Sequence, residues 1–175
     1  MDYKIKYNDF FEFLELKNII ASKRRIKNNS KAKLYSYFED FYKLVFAFIL
    51  FYISYCFSFN KLFEEIFLVF TVVSLVMILA FLVLFLVFII QYNDYRFGRS
   101  GKMTFTSKGI VDYADKGYIC GFAWDKVELV IVGKYSTVVF SKYPFCLFIN
   151  TKDNKELIDS VKKNNNTIKI VNRKK

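Results

Sequence analysis

Apolar and polar positions alternate, cluster and alternate again along this chain. At its start Tyr3, Ile5 and Tyr7 stand against Lys4 and Lys6, a period of two that predicts a short strand. The period then lengthens. Asn8 or Asp9 can cap a helix running to about Ala21. Phe10, Phe13, Leu16 and Ile20 recur on one face of it, with Glu12 and Glu15 off that face. A basic stretch, Lys23, Arg24, Arg25, Lys27, Lys31 and Lys33, leads to a second aromatic segment over 35–42. Two uncharged runs follow, residues 44–59 and residues 66–92, 16 and 27 residues long. About 20 apolar residues cross a bilayer core, and the second run, about 40 Å as a helix, is long enough. The first reaches that length when Tyr42 and Lys43 are included, because lysine extends its ammonium to the headgroups. The tight link 60–65 predicts an antiparallel hairpin, with spans at about 42–60 and 66–92.

Beyond residue 93 a basic, glycine-containing exit gives way to period two again. Strands are predicted over 103–107, 110–113, 118–124, 127–132, 135–141 and 143–149, with turns at Asp115-Lys116-Gly117, Asp125-Lys126 and Gly133-Lys134. Asp153 with Glu156 forms a capping box, and Leu157, Ile158 and Val161 make an apolar stripe, so a helix is expected over about 154–163. Asn164-Asn165-Asn166 ends it, 167–171 is a last edge strand, and 172–175 is a charged tail. The expected fold is an α+β membrane protein. A two-helix transmembrane hairpin joins a small antiparallel β-sheet domain, pleckstrin-homology-like (PH-like) in outline and closed by its C-terminal helix. Residues 1–41 form the N-terminal helical segment, 42–92 the hairpin and 93–175 the sheet domain.

Charge fixes an orientation for this plan. The 175 residues carry a net charge of +11 at a mean hydropathy of +0.21, so charge and hydrophobicity are segregated. The share is +4 for 1–43, −1 for 60–65 and +8 for 93–175. Lys and Arg stay on the cytoplasmic side, which predicts a multi-pass protein of the cell membrane with both termini cytoplasmic. Neither uncharged run, 44–59 or 66–92, holds Asp, Glu, Lys, Arg or His, so an ion or proton pathway is not expected. Thr71 and Ser74, like Ser54 and Ser58, can bond a neighbouring helix or their own i−4 carbonyl. With no Gly in either span, large residues must pack the helices together.

Several function classes are excluded by composition. There is no His, which removes histidine bases, Ser-His-Asp triads and His-ligated metals. Three scattered Cys do not make a disulfide scaffold. Cys56 lies in the first span, and Cys120 and Cys146 are expected to be reduced apolar fillers of the sheet. The acids of the C-terminal region read as turn formers (Asp115, Asp125) or as solvent-facing strand residues (Asp112, Glu128). No nucleophile motif and no glycine-rich phosphate loop accompanies them, so no catalytic residue, cofactor or metal is expected.

Several short motifs, taken in order, resemble the YcxB-like family of bacterial membrane proteins. They are Tyr7-Asn8-Asp9-Phe10-Phe11-Glu12-Phe13, Ala21-Ser22-Lys23-Arg24-Arg25 before two spans, Gly109-Ile110, Trp124-Asp125-Lys126-Val127, Tyr135, and Tyr143-Pro144-Phe145. The chain departs from the pattern at Phe145, where a basic residue is expected. The resemblance implies two spans, a cytoplasmic PH-like domain and no enzymatic activity.

The remaining candidates concern binding. Lys23, Arg24, Arg25, Lys27, Arg96 and Arg99 can meet anionic lipid headgroups, each worth about 1 kcal/mol near the leaflet; as a topology signal they need no ligand. Trp124 reads first as a core anchor with one polar edge, and second as a partner contact. Pro144 places its strand at an edge or makes it start late, and an edge can accept a partner peptide. The expected partners are the membrane lipid bilayer and an unidentified protein, not nucleic acid. The leading function is a non-enzymatic membrane protein displaying a small binding or scaffold domain. The alternatives are an immunity protein against a membrane-active or secreted toxin, and an accessory subunit of a membrane complex.

Overall fold

The computed structural model describes residues 1–114, 119–165 and 167–173. The expected turn 115–117, the start of the next strand at Tyr118, Asn166 and the final two lysines lie outside the described residues. The chain divides into two compact units, Met1–Tyr35 with Gln91–Lys175, and Ser36–Ile90. Residues 1–35 of the expected N-terminal segment 1–41 are therefore part of the sheet unit, and 36–41 part of the helical one.

Three elements open the sheet unit: β1 (Asp2–Ile5), α1 (Phe10–Ala21) and α2 (Lys23–Asn28). Asp9 caps α1, its carboxylate accepting from Glu12 N at 2.8 Å, while Glu12 accepts from Asn8 N at 2.8 Å. Phe13, Leu14, Leu16 and Ile19 are buried and Phe11 is exposed. The helix stops at Ser22, whose hydroxyl donates back to Asn18 O. The first part of the basic stretch, Lys23–Asn28, is helical, with Ile26 as a fully buried apolar anchor, while Lys31 and Lys33 lie beyond the helix.

The helical unit holds α3 (Tyr37–Cys56) and most of α4 (Lys61–Arg96). Ser36 caps α3 by accepting from Glu39 N. The connection is shorter than expected. Asn60 Oδ1 accepts from Leu62 N at 2.9 Å and starts α4 there, so residues 61–65 are helix rather than loop. Among the described residues one helix, α4, is long and apolar enough to cross a membrane, with mean hydropathy 3.4 over its most apolar stretch. The 20-residue α3 falls short of that test. It begins five residues before the expected span and ends at Cys56, and Glu39, Asp40 and Lys43 occupy its first turns. Lys43 pairs there with Glu39 at 2.8 Å and Asp40 at 3.7 Å.

The rest of the sheet unit comprises β2 (Arg99–Phe105), β3 (Gly109–Ala114), β4 (Ile119–Ala123), β5 (Val127–Val132), β6 (Ser136–Ser141), β7 (Cys146–Asn150), α5 (Lys155–Asn164) and β8 (Lys169–Asn172). The expected single antiparallel sheet is two four-stranded sheets, ordered β1-β2-β3-β4 and β7-β6-β5-β8. The break falls at a short 3-10 turn, Trp124–Lys126. β1 pairs antiparallel with β2, from Asp2↔Lys102 to Ile5↔Arg99. Gly101 permits this approach, since a Cβ there would lie 2.6 Å from Tyr3 Oη. β8 is an edge strand, but it joins β5 in parallel. All six residues of β6 are buried, with α1 packed on the strand. Alternation therefore fades in β5 and β6, which are covered on both faces.

β7 starts at Cys146, after Pro144, and is an edge strand. The expected capping box rests on the Asp153 side chain, which lies outside the described residues. Thr151–Asp153 is a 3-10 turn and Asn154 is the cap of α5. The Asn154 amide instead donates to Thr137 Oγ1 at 2.7 Å. Thr137 Oγ1 lies 3.1 Å from Thr151 Oγ1, which donates to Gly133 O at 3.0 Å. This chain of hydroxyls satisfies three buried polar residues while Leu157 and Val161 of α5 complete the core.

Candidate functional site

The six basic residues expected at a membrane surface do not act alike. Lys23 and Lys27 project from α2 onto Glu128 of β5; Lys23 Nζ is 3.4 Å from the carboxylate and Lys27 is closer. Lys23 also donates to Ser141 O at 2.7 Å. Glu128, expected to face solvent, sits at an irregularity in the β5–β6 register, and its side chain is 17% exposed. The Lys27 hydrogen bond holds its pKa below the usual glutamate range, helped by Lys23 and opposed by desolvation. The far end of α2 is tied down by β8: Lys169 Nζ donates to Ile26 O and Lys27 O at 3.2 and 3.1 Å. Arg24 and Arg25 remain exposed, with Arg25 over the Tyr35 ring. Arg96 is exposed; Arg99 is half-buried, 3.3 Å from Tyr95 Oη.

Arg99 also lines a cavity of about 180 Å³ with Tyr3, Asp112, Cys120 and Cys146. Asp112 was expected to face solvent. Instead it is half-buried and accepts from Tyr3 Oη at 2.6 Å. Burial raises its pKa, against the lowering effects of that hydrogen bond and of Arg99. Cys120 is exposed rather than a core filler, and Cys146 is half-buried. Partial desolvation pushes both thiols up, joined at Cys120 by the nearby Asp112, so they stay protonated at neutral pH and are poor nucleophiles. The cavity can offer a guanidinium and hydrogen-bonding groups; it has no activated nucleophile.

Trp124 is 5% exposed, and its indole N–H donates to Thr106 O at 2.8 Å. It is an anchor of the core with one satisfied polar edge. Pro144 stands exposed in the β6–β7 connection between exposed Tyr143 and Phe145. Ser141 shapes that turn by accepting from Tyr143 N and bonding Phe145 O, each at 3.1 Å. Trp124 begins the 3-10 turn before β5, and Pro144 lies in the β6–β7 connection.

Sequence reasoning missed Glu15. Its carboxylate accepts from Lys134 N, Tyr135 N and Ser136 N at 2.8, 2.7 and 3.0 Å. One side chain on α1 thus satisfies three backbone N–H groups at the β5–β6 turn. Gly133 allows it, because a Cβ there would lie 2.7 Å from Ile19 Cδ1 and 2.9 Å from the Glu15 carboxyl carbon. The available signal was an acid just off the apolar face of a helix. Tyr7 adds a second tie, its hydroxyl 2.8 Å from Ser136 Oγ in a fully buried setting; burial raises the phenol's pKa.

No protein family profile matches this chain, and no curated protein or solved structure is significantly similar to it.

Proposed function

We propose that this chain is a non-enzymatic integral membrane protein in which a two-helix hairpin carries a small PH-like binding domain on the cytoplasmic side. The observation that carries this reading is the pairing of β1 with β2. Between those strands lies α4, whose apolar length suits a bilayer. A single crossing between residues 6 and 98 would leave β1 and β2 on opposite sides, where they cannot pair. An even number of crossings is required, and α3 is the other helix in that interval with a long uncharged run. Its early charges then lie at the headgroups, where Lys43 can snorkel.

Chain order supports the PH-like part. Four strands meander, three more follow in a second antiparallel set, and a helix comes after them. The hairpin is then an insertion between the first and second strands, and β8 is an addition. The excess of Lys and Arg on the flanks of the hairpin favours the cytoplasmic side for the sheets. The acids that might have served chemistry are engaged structurally: Glu128 with two lysines, Asp112 with Tyr3, Glu15 with a turn. The ordered motifs similar to the YcxB-like family point the same way.

Cysteine labelling tests the topology. In a chain with Cys56, Cys120 and Cys146 changed to Ser, Phe59→Cys should react with a membrane-impermeant maleimide in intact cells. Lys152→Cys should react only after lysis. Labelling of Lys152→Cys in intact cells, or of Phe59→Cys only after lysis, overturns the reading.

A further inference from the structure

The two sheets end in four edge strands, β1 and β4 in the first and β7 and β8 in the second. Three of these edges are occupied. β1 and β7 are neighbours in space. β8 is fastened to residues 26–32: Lys169 Nζ donates to Ile26 O and Lys27 O, and Arg173 donates to Ser30 O and Ala32 O. β4 is left open among the described residues. Ile119 is 70% exposed, and Cys120, Gly121 and Ala123 are exposed with it. The strand reads Ile-Cys-Gly-Phe-Ala, without the charges or proline that keep sheet edges from pairing.

The direction of its free backbone groups follows from the ladder. Trp124 N donates to Lys108 O at 3.1 Å, so Trp124 faces β3. By the alternation of an antiparallel pair, so do Phe122 and Cys120. The other side of β3 agrees. Thr106 N donates to Gly109 O, which turns Gly109, Val111 and Tyr113 to β2 and leaves Ile110 and Asp112 for Phe122 and Cys120, their partners in the register. The N–H and C=O groups of Ile119, Gly121 and Ala123 therefore point away from the sheet. A strand that pairs there must present outward groups of its own at the same alternate positions.

A second β4 does so. Set antiparallel and centred on Gly121, Ile119 meets Ala123 of the second copy, Gly121 meets its counterpart, and Ala123 meets Ile119. Each is a pair that exchanges two hydrogen bonds. A shift by one residue sets an outward group against an inward one, and a shift by two loses a pair. Any strand could use the backbone groups; the side chains favour this one. Large Ile119 lies against small Ala123, and no like charges meet although the chain carries +11. We propose that the protein self-associates through β4, joining the β1-β2-β3-β4 sheets of two copies into one continuous sheet. The inference does not depend on the topology that the labelling experiment tests, so the two can fail separately.

The full chain in detergent should sediment as a reversible monomer–dimer mixture over a concentration series. Ala123→Pro is the first probe. Ala123 has φ −67°, which proline adopts, and its N–H points outward, so the pairing with β3 is kept. The change removes one donor from each side of the interface. It should weaken the dimer about tenfold or more without lowering the urea midpoint of Trp124 emission. Ile119→Lys, at an exposed position, should weaken it similarly. Disulfide capture reads the register in a chain with Cys56, Cys120 and Cys146 changed to Ser. Ile119→Cys and Ala123→Cys chains should cross-link when mixed and oxidised, and neither should do so alone. Gly121 is left unchanged, because a Cβ there would lie 2.5 Å from Ile110 O. A monomer at every concentration overturns the proposal and leaves the edge to a strand of another protein. A dimer unaffected by both Ala123→Pro and Ile119→Lys, or a mixture that cross-links no better than either chain alone, overturns it as well.

Discussion

The two units of this protein use apolar residues in opposite ways. In the helical unit Leu75, Val76, Leu79, Val83 and Leu86 stand 44–59% exposed. In the sheet unit Phe13, Leu16, Ile19, Val130 and Ile149 are at most 1% exposed. Polar groups differ as well. Thr71 and Ser74 turn back onto their own helix, at 2.7 and 2.8 Å from the i−4 carbonyls. In the sheet unit Glu15, Asn154 and Lys23 reach across 120, 17 and 118 residues of sequence. The helical unit is built from local bonds and aromatic stacking, such as Phe51 on Phe70 at 5.2 Å, and leaves apolar side chains exposed on its outer surface. The sheet unit must make its own interior, so its specificity lies in a few long-range polar anchors.

The largest expected effect separates the units by their cores. The only Trp, Trp124, is buried in the sheet unit, so its fluorescence reports on that unit. Phe13→Ala removes a fully buried ring that packs on Tyr7 and Tyr95 at 5.8 and 5.5 Å. It should cost the sheet unit about 4 kcal/mol, read as a lower urea midpoint of Trp124 emission in detergent. Phe51→Ala should leave that midpoint in place. A similar shift from both would erase the contrast between the units.

A smaller effect tests the polar anchors. Glu15→Ala strips the acceptor from three backbone N–H groups of the β5–β6 turn and should cost about 3 kcal/mol. Glu15→Gln keeps one oxygen and should recover about half of that. Amide exchange of Tyr135 and Ser136 should quicken in the order wild type, Gln, Ala. Equal protection in all three would mean that packing of α1 on β6 holds the turn without its carboxylate.

Legibility in the sequence followed the same divide. Short-range pattern sufficed for α1 and a cap at Asn8 or Asp9, of which the structure uses Asp9, for the strands between Gly109 and Val132, and for Pro144 as the mark of an edge or late-starting strand. It also found the long apolar helix, but placed its start too late, because Lys61, Glu64 and Glu65 look like loop and yet extend the helix beyond its apolar run. What pattern did not reveal was pairing over distance. Nothing in Asp2–Ile5 says that its partner lies beyond four helices, and nothing in Lys169–Asn172 says that it joins β5 in parallel. The candidate site suffered most. Lys23 and Lys27 look like a membrane signal until Glu128 is brought beside them.

The smallest expected effect turns on that Glu128 cluster, where a surface-like charge pattern serves the sheet unit from within. Its carboxylate has a folded-state pKa below the ordinary value of about 4.3. The pair therefore contributes stability that is complete above the unfolded-state pKa and is lost as pH falls through the folded-state pKa. Glu128→Gln should cost about 1 kcal/mol at neutral pH, with Lys23 and Lys27 still partly exposed to solvent. The gap in Trp124 urea midpoint between wild type and variant should close as the buffer is taken below the ordinary glutamate range. It should also narrow in high salt, because both lysines are reachable by counterions. A gap that stays constant across acid and salt would show that Glu128 acts through its fit at the β5 irregularity and not through its charge. The lysines of α2 would then be released to the same solvent-facing role as Arg24 and Arg25.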